Sequence, residues 1–322
     1  MQVSKRDGKK EDFLVEKIHK VVMWATKDIN GVSFSDIEMN ANLSLYDGIS
    51  SVEIHKILIK SANDLISTSN PNYQYVAARL LNMELRKEVW GCGDSPVDFL
   101  VFLQRNVDNG VYDSLILDRW SEEEVELFAK CINHDRDDLF TYAGLQQLID
   151  KYLVKNRSTG NIYETPQLAY MCIAMCLFET VEEVKKAYEC YSTFKINLPT
   201  PIMAGVRTNI RQFASCVLVD IDDNLDAIFS SIHAVGKYTA RRAGIGLNIG
   251  RMRPINSPIR GGEVIHTGLI PYLKNFESAV KSTSQNGLRG GSATVHIPFW
   301  HFEIEDVMVL KNNAGTDDNR VR

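Results

Sequence analysis

Residues 213–250 read FASCVLVDIDDNLDAIFSSIHAVGKYTARRAGIGLNIG, and the kind of fold turns on this stretch. Ser215 to Val219 is a short apolar run and reads as a buried strand. Asp222 and Asp223 stand in cap position for a helix that would bury Leu225, Ile228, Phe229 and Ile232 and stop near Gly244. Gly244-Ile-Gly246-Leu-Asn-Ile-Gly250 invites comparison with a dinucleotide-binding turn, which needs a strand before it and a helix after it. Here a helix precedes it and Arg251-Met252-Arg253-Pro254 follows, so that reading fails. Gly244 reads instead as a helix end, where a left-handed backbone costs glycine little. Downstream, a helical stretch around 270–283 alternates with β-like runs at Ala293 to Ile297 and Asp306 to Leu310. Strand, helix and loop in repetition predict an α/β layer built partly of parallel strands.

Working back from that stretch, Leu198-Pro199-Thr200-Pro201 cannot be helix interior and marks a change of texture. Residues 97–195 read as mostly helical, interrupted by a polar hairpin from Lys155 to Glu164. Residues 1–90 form a unit of their own. A hairpin at Gln2 to Phe13 is followed by a helix with Ile18, Val21, Val22 and Ala25 on one face. Ser50 to Glu53 has capping-box spacing before a helix carrying Ile54, Ile57, Leu58 and Leu65. Asn70 and Pro71 read as N-cap and first residue of a third helix that runs towards Trp90. Gly91 to Pro96 then breaks the pattern.

The 322 residues suit about two domains at roughly 150 each. A hydrophobic share of 44% supports a buried core, and a formal charge of −5 argues against a surface that grips nucleic acid as a whole. Met1 to Phe13 lacks an apolar leader segment, and no run of about 18 apolar residues would span a membrane. The six scattered cysteines suit a reducing compartment, so a cytoplasmic location is expected.

Four places can carry chemistry. Lys5-Arg6-Asp7-Gly8-Lys9-Lys10, with Lys17 and Lys87, fits either a solvated charged hairpin or a cradle for a triphosphate. The loops Arg251 to Glu263 and Ser284 to Ser292 fit either ordinary turns or segments that a ligand orders. Cys216 is either a small buried hydrophobe or a reactive thiol. Cys172 and Cys176 lie in an apolar helix and read as core, and the seven histidines form no metal-spaced set. His55 is the one histidine placed for a ligand contact.

Ten stretches in order resemble the large subunit of class I ribonucleotide reductases of the bacterial and T-even phage type. They are YDGI (46–49), PNYQYVAARL (71–80), KYLVKNRSTGNIYETPQ (151–167), LPTPIMAGVRT (198–208), RQFASCVL (211–218), RAGIGLNIGRMR (242–253), SPIRGGE (257–263), HTG (266–268), SQNGLRGGSAT (284–294) and LKNNAG (310–315). The resemblance implies an α+β and α/β chain in three parts. Residues 1–92 would be an ATP cone, a helical bundle with a small β cap. Residues 93–197 would be a mostly helical domain, and residues 198–322 the first part of a ten-stranded α/β barrel left incomplete, including the effector-specificity loops.

Residue by residue, the resemblance puts the ATP/dATP activity site at Lys5, Glu11, Asp12, Phe13, Leu14, Val15, Glu16, Lys17, Ser51, His55 and Lys87. Substrate positions are Thr200, Ser215, Cys216 and Gly244, with Cys216 one of two cysteines that deliver electrons as a dithiol. Asp223, Leu225, Arg253 and Arg260 match the effector-specificity site, and Gln285 and Arg289 the loop that relays effector identity. The family's radical cysteine, the second redox cysteine and the carboxy-terminal dithiol would lie beyond Arg322.

The expectation is therefore an amino-terminal part of a ribonucleoside-diphosphate reductase, either one piece of a split large subunit or a truncated one, inactive alone. Implied partners are the C-terminal half, a small subunit carrying a diiron-tyrosyl radical, a second copy through the barrel helices, and a thioredoxin- or glutaredoxin-type reductant. Ribonucleoside diphosphates would be substrates and ATP, dATP and other dNTPs effectors, with no metal held by this chain. The competing expectation is a non-catalytic nucleotide-binding fragment that modulates intact reductase.

Overall fold

A computed structural model of the chain describes residues 1–311 except 7, 43, 92–94, 157, 211–212, 242 and 284–290. The chain divides into two compact units, Met1–Leu198 with Val206–Asn209, and Pro199–Gly205 with Ile210 onward.

In the first unit, β1 (Gln2–Ser4) and β2 (Lys10–Asp12) pair antiparallel with Gln2 opposite Asp12. Helices α1 (Val15–Thr26), α2 (Phe34–Asn42), α3 (Ser51–Asp64) and α4 (Tyr73–Trp90) close around Val3, Val22, Ile37, Leu58, Val76 and Leu80. Each large apolar side chain so buried contributes about 1.5–3 kcal/mol. The Ser50 side chain accepts from Glu53 N and fixes where α3 begins, as the capping spacing predicts.

The sequence pattern does not predict α2, because only Ile37 and Ala41 are buried in its nine residues. Helix α4 opens at Tyr73, not at Pro71. Asn70 N is tied to Ser67 Oγ at 3.1 Å, which makes 67–70 a turn of its own and leaves Asn72 in the cap position. The helix ends at Gly91, whose φ of 77° is the left-handed stop expected of glycine.

The same unit continues with α5 (Phe99–Asp108), α6 (Leu115–Asp118), α7 (Glu122–Cys131), a 3-10 turn (His134–Leu139), α8 (Tyr142–Lys151), α9 (Pro166–Leu177) and α10 (Val181–Ser192). Helix α9 is buried on every side from Pro166 to Met175, so Cys172 is core and burial pushes its thiol well up. The predicted hairpin is present as a Lys155–Ile162 bridge. Its last residue, Glu164, is fully buried and receives Arg207 Nε at 2.7 Å and the Tyr112 hydroxyl. A buried charge pair of this kind holds only because its hydrogen bonds are made.

In the second unit, α11 (Thr200–Gly205) starts at the prolines, with Pro201 in its first turn. Then come β3 (Cys216–Asp220), α12 (Leu225–Ala240), β4 (Gly244–Asn248), the small hairpin β5 (Pro258–Ile259) and β6 (Val264–Ile265), α13 (Leu269–Thr283), β7 (Ala293–His296) and α14 (Ile304–Met308). Strands β3, β4 and β7 form a parallel sheet in that order, with Cys216 opposite Gly244 and Ile245 opposite Ala293. Val217, Val219, Ile245, Leu247 and Val295 face a core shared with Ile228 and Val235 of α12 and Leu273 and Phe276 of α13.

The other sheet face is open. Leu218 is 82% exposed, so β3 is a strand but not the buried one its composition suggests. Among the described residues it is the sheet's edge, with a neighbour on one side alone. Four further readings change. Gly244 opens β4 and is no helix end, since α12 stops at Ala240. Asn224, not Asp222 or Asp223, caps α12 through Ala227 N, because both aspartates are taken by arginines. Leu225 and Phe229 are exposed, and the buried stripe is Ile228, Ser231, Val235 and Thr239. Finally, the β-like run at Asp306–Leu310 is helix as far as Met308, closed by Val307 N to Glu303 O, and then a turn.

Glu303 organises this end of the unit. Its buried carboxylate accepts from Leu269 N, at the start of α13, and from Ile255 N. Among the described residues no helix is long and apolar enough to cross a membrane.

Candidate functional site

Two groups of polar side chains gather in the first unit's hairpin region and at the ends of the second unit's sheet. In the first, Ser4 of β1 bridges Ser50, and Ser4 N donates to Ile49 O at 3.0 Å. That pairing sets Lys5, the next residue on one chain, beside Ser51, the first residue of α3. Glu11 on β2 accepts from Lys17 Nζ at 2.7 Å and from Lys5 Nζ at 2.9 Å. Lys17 first and Lys5 second hold the Glu11 carboxyl below its ordinary pKa. An arriving phosphate would compete with Glu11 for both ammonium groups.

One turn on from Ser51, His55 is buried and its Nε2 lies 2.7 Å from Leu80 O on α4. Burial pushes its pKa down, and Lys87, Glu84 and Arg6 are close enough to bias it. Between β2 and the first turn of α1, Phe13 packs on the core while Asp12, Leu14, Val15 and Glu16 are exposed. The structure thus joins Lys5, Glu11 and Lys17 directly, and brings Ser51, His55 and Lys87 into the same region through β1, α3 and α4.

In the second unit the sheet has two chemically different ends. At the N-terminal end, Gly244 N donates to Ser215 O at 2.8 Å and Gly244 is the register partner of Cys216. Cys216 is a free, exposed thiol, which overturns its reading as a buried hydrophobe. Thr200 opens α11, and among the described residues no hydrogen bond links it to these strand ends.

At the C-terminal end, Asp223 accepts from Arg253 Nε at 2.7 Å and from Arg253 N at 3.1 Å. Arg251, the first residue of the loop expected either as an ordinary turn or as a ligand-ordered segment, pairs with Asp220 at 2.7 Å and Asp222 at 2.9 Å. Asp222 first, then Asp220, raises its pKa further. Leu225 is the exposed first residue of α12, and Arg260 stands exposed at φ 50° in the turn between β5 and β6. Among the described residues no hydrogen bond or ion pair links these two to the Asp223–Arg253 pair. Gln285 and Arg289 lie outside the described residues. The two ends are one strand length apart, about 13 Å at roughly 3.3 Å per residue.

Among the described residues no three His, Cys, Asp or Glu side chains are grouped to hold a metal ion.

Comparison with known proteins covers the chain from end to end. Residues 1–88 match an ATP cone domain, residues 138–211 the all-alpha domain of ribonucleotide reductase and residues 214–322 its barrel domain. The chain is 49% identical to ribonucleoside-diphosphate reductase 1 subunit alpha of Escherichia coli K12, over 99% of this chain and 43% of that one. It is 48% identical to the subunit alpha of Haemophilus influenzae and 46% identical to that of Enterobacteria phage T4, each over 100% of this chain and 43% of the relative. The chain therefore spans less than half the length of these curated relatives.

Proposed function

The chain belongs to the ribonucleotide reductase large-subunit family, and we propose that it forms the nucleotide-sensing and substrate-entry part of a ribonucleoside-diphosphate reductase. On this reading residues 1–92 are the ATP cone, 93–197 the helical domain and 198–322 the first strands and helices of the barrel. The carrying observation is the polarity of one sheet: Ser215, Cys216 and Gly244 meet at one end, and Asp223 and Arg253 pair at the other.

Cys216 is the thiol we assign to the reaction. In reducing a ribonucleotide, two thiols become a disulfide while the 2′-hydroxyl leaves as water. Exposure suits Cys216 to such exchange. The second thiol, and the cover for the open sheet face, would come from polypeptide corresponding to the rest of the relatives' length. A small subunit would supply the radical from its diiron-tyrosyl centre, and a thioredoxin- or glutaredoxin-type protein would reduce the disulfide.

Thr200, Ser215 and Gly244 would position substrate beside Cys216. Asp223, Leu225, Arg253 and Arg260 would hold a dNTP effector, with Gln285 and Arg289 relaying its identity. Exposed Leu225 and Phe229 on α12 favour a second copy docking against the barrel helices. Lys5, Glu11 to Lys17, Ser51, His55 and Lys87 would hold ATP or dATP. We place the assembled enzyme in the cytoplasm.

The test is CDP reduction with ATP, a dithiol and the small subunit, run on this chain alone and with the remaining polypeptide added. Turnover is expected only after addition, and Cys216→Ser is expected to abolish it while ATP binding persists. The cone's separate core favours a second reading, a regulatory fragment without catalytic duty. Turnover unchanged by Cys216→Ser, or absent with the added polypeptide shown to be folded, would put that reading first.

A further inference from the structure

Two buried side chains from the segment after β7 reach back to the loop that carries Arg253 and Arg260. His301 and Glu303 are 8% and 4% exposed, too little for either to meet a ligand from solution. His301 Nδ1 accepts from Glu303 N at 3.1 Å, so its proton stands on Nε2, which donates to Met252 O at 2.9 Å. Glu303 accepts from Ile255 N at 2.9 Å and from Leu269 N at 3.0 Å. Leu269 N is one of the donors that a helix leaves open at its start, and Glu303 closes it. The loop from Met252 to Leu269 is thus held at both of its roots by His301 and Glu303.

Between those roots the loop is a narrow ladder. Asn256 N donates to His266 O at 3.0 Å, His266 N donates to Ser257 O at 2.9 Å, and β5 pairs with β6 beyond them. Arg253 stands at the foot, with Nε on Asp223 and Nη1 on Pro258 O at 3.2 Å. Arg260 stands at the tip. A shift of the roots would carry both arginines with it, and a guanidinium recognises oxyanions only when its fork is correctly aimed. Gly268 shows how closely the staple fits. At its φ of 88°, a Cβ would stand 2.5 Å from Glu303 Oε1 and 3.1 Å from Ile255 Cβ, so glycine leaves the carboxylate its place.

We propose that Glu303, with His301 behind it, is a positioning residue for the dNTP effector: it fixes the loop so that Arg253 and Arg260 stand ready for the nucleotide's phosphates. This rests on reading Asp223, Leu225, Arg253 and Arg260 as an effector site. The probe is dTTP, titrated calorimetrically into the full chain, with Arg253→Gln marking binding at this site. Glu303→Gln keeps the side chain's size but turns one acceptor into a donor that faces an N–H. It is expected to weaken dTTP about fivefold, and Gly268→Ala about tenfold, both leaving ATP affinity unchanged. Without nucleotide, amide exchange at Ile255 and Leu269 is expected to speed up in both. Val235→Ala, a core substitution on α12, lowers the stability of the same unit and is expected to leave dTTP affinity as it is. The proposal is overturned if dTTP binds Glu303→Gln and Gly268→Ala as tightly as wild type, or if Val235→Ala weakens it as much as they do. Failure of the effector reading looks different. The wild-type chain itself would then not bind dTTP, or Arg253→Gln would bind it unchanged, and the proposal would fall with that reading.

Discussion

A methyl group at Gly250 would stand 2.4 Å from Cδ of Pro298 and 3.0 Å from its Cγ, atoms of a rigid ring that cannot swing aside as a flexible side chain does. At Gly246 the same methyl would stand 2.6 Å from Leu218 Cδ2, the tip of a side chain 82% exposed and free to swing. The two glycines share one motif, yet they should answer differently. Gly250→Ala is expected to lower unfolding free energy by about 1–3 kcal/mol, the usual cost of overpacking. Gly246→Ala is expected to lower it by less than about 0.5 kcal/mol, as for exposed sites. Urea titration of both variants checks this, and equal losses would contradict it. Nothing in GIGLNIG reveals which glycine meets a ring and which a leucine tip. The motif's failure as a dinucleotide turn was legible, because the residues flanking it were wrong for one. Its true use, as a strand crossed closely by side chains from its neighbours, was not.

The contact between α4 and the 3-10 turn holds two groups whose protonation pulls stability in opposite directions. Burial, then the Arg86 charge, lowers His134 from 6.5 to about 4. Between those values the unfolded chain binds a proton that the folded chain refuses, so the His134 contribution is lost as pH falls through that window. Burial raises Asp137 from 3.8 to about 7, against the pull of Arg86 and Gln167 and with a push from Asp138. The folded chain then holds a proton the unfolded chain releases, so this contribution is lost as pH rises from about 4 to 7. Each is worth up to roughly 3–5 kcal/mol at about 1.4 kcal/mol per pKa unit, and in the wild type they largely offset. Relative to wild type, Asp137→Asn is expected to lose stability as pH falls from 6.5 to 4. His134→Asn is expected to lose it as pH rises across the same range. Urea midpoints at steps through that window check both, and wild-type profiles in both variants would refute the pairing. No sequence pattern announces such a pair, because His134 and Asp137 meet α4 only through the fold. Elements with a cap and a full apolar stripe, such as α3, were legible. Helix α14 was not: Val307 and Val309 alternate as in a strand, and a single turn is too short for helical periodicity to show.

At the scale of the whole molecule, division into two compact units, each with its own apolar core, bears on how nucleotides should act on stability. The proposed ATP site lies wholly in the first unit, and the Asp223–Arg253 pair wholly in the second. A ligand that binds only the folded form of a unit stabilises that unit, by about 2.7 kcal/mol at a hundred times its Kd. Calorimetric unfolding of the chain is therefore expected to show two transitions. ATP should raise one of them, and Lys5→Ala should remove that rise by freeing Glu11 of one of its two lysines and taking a cation from the phosphate. A dNTP effector should raise the other, and Arg253→Gln should remove that rise by breaking the bond to Asp223. Each variant should leave the other nucleotide's effect in place. A single transition moved by both nucleotides would mean that the units unfold together. Loss of both effects in either variant would mean that the two nucleotides share a site, and the separation of activity sensing from effector sensing would be wrong for this chain.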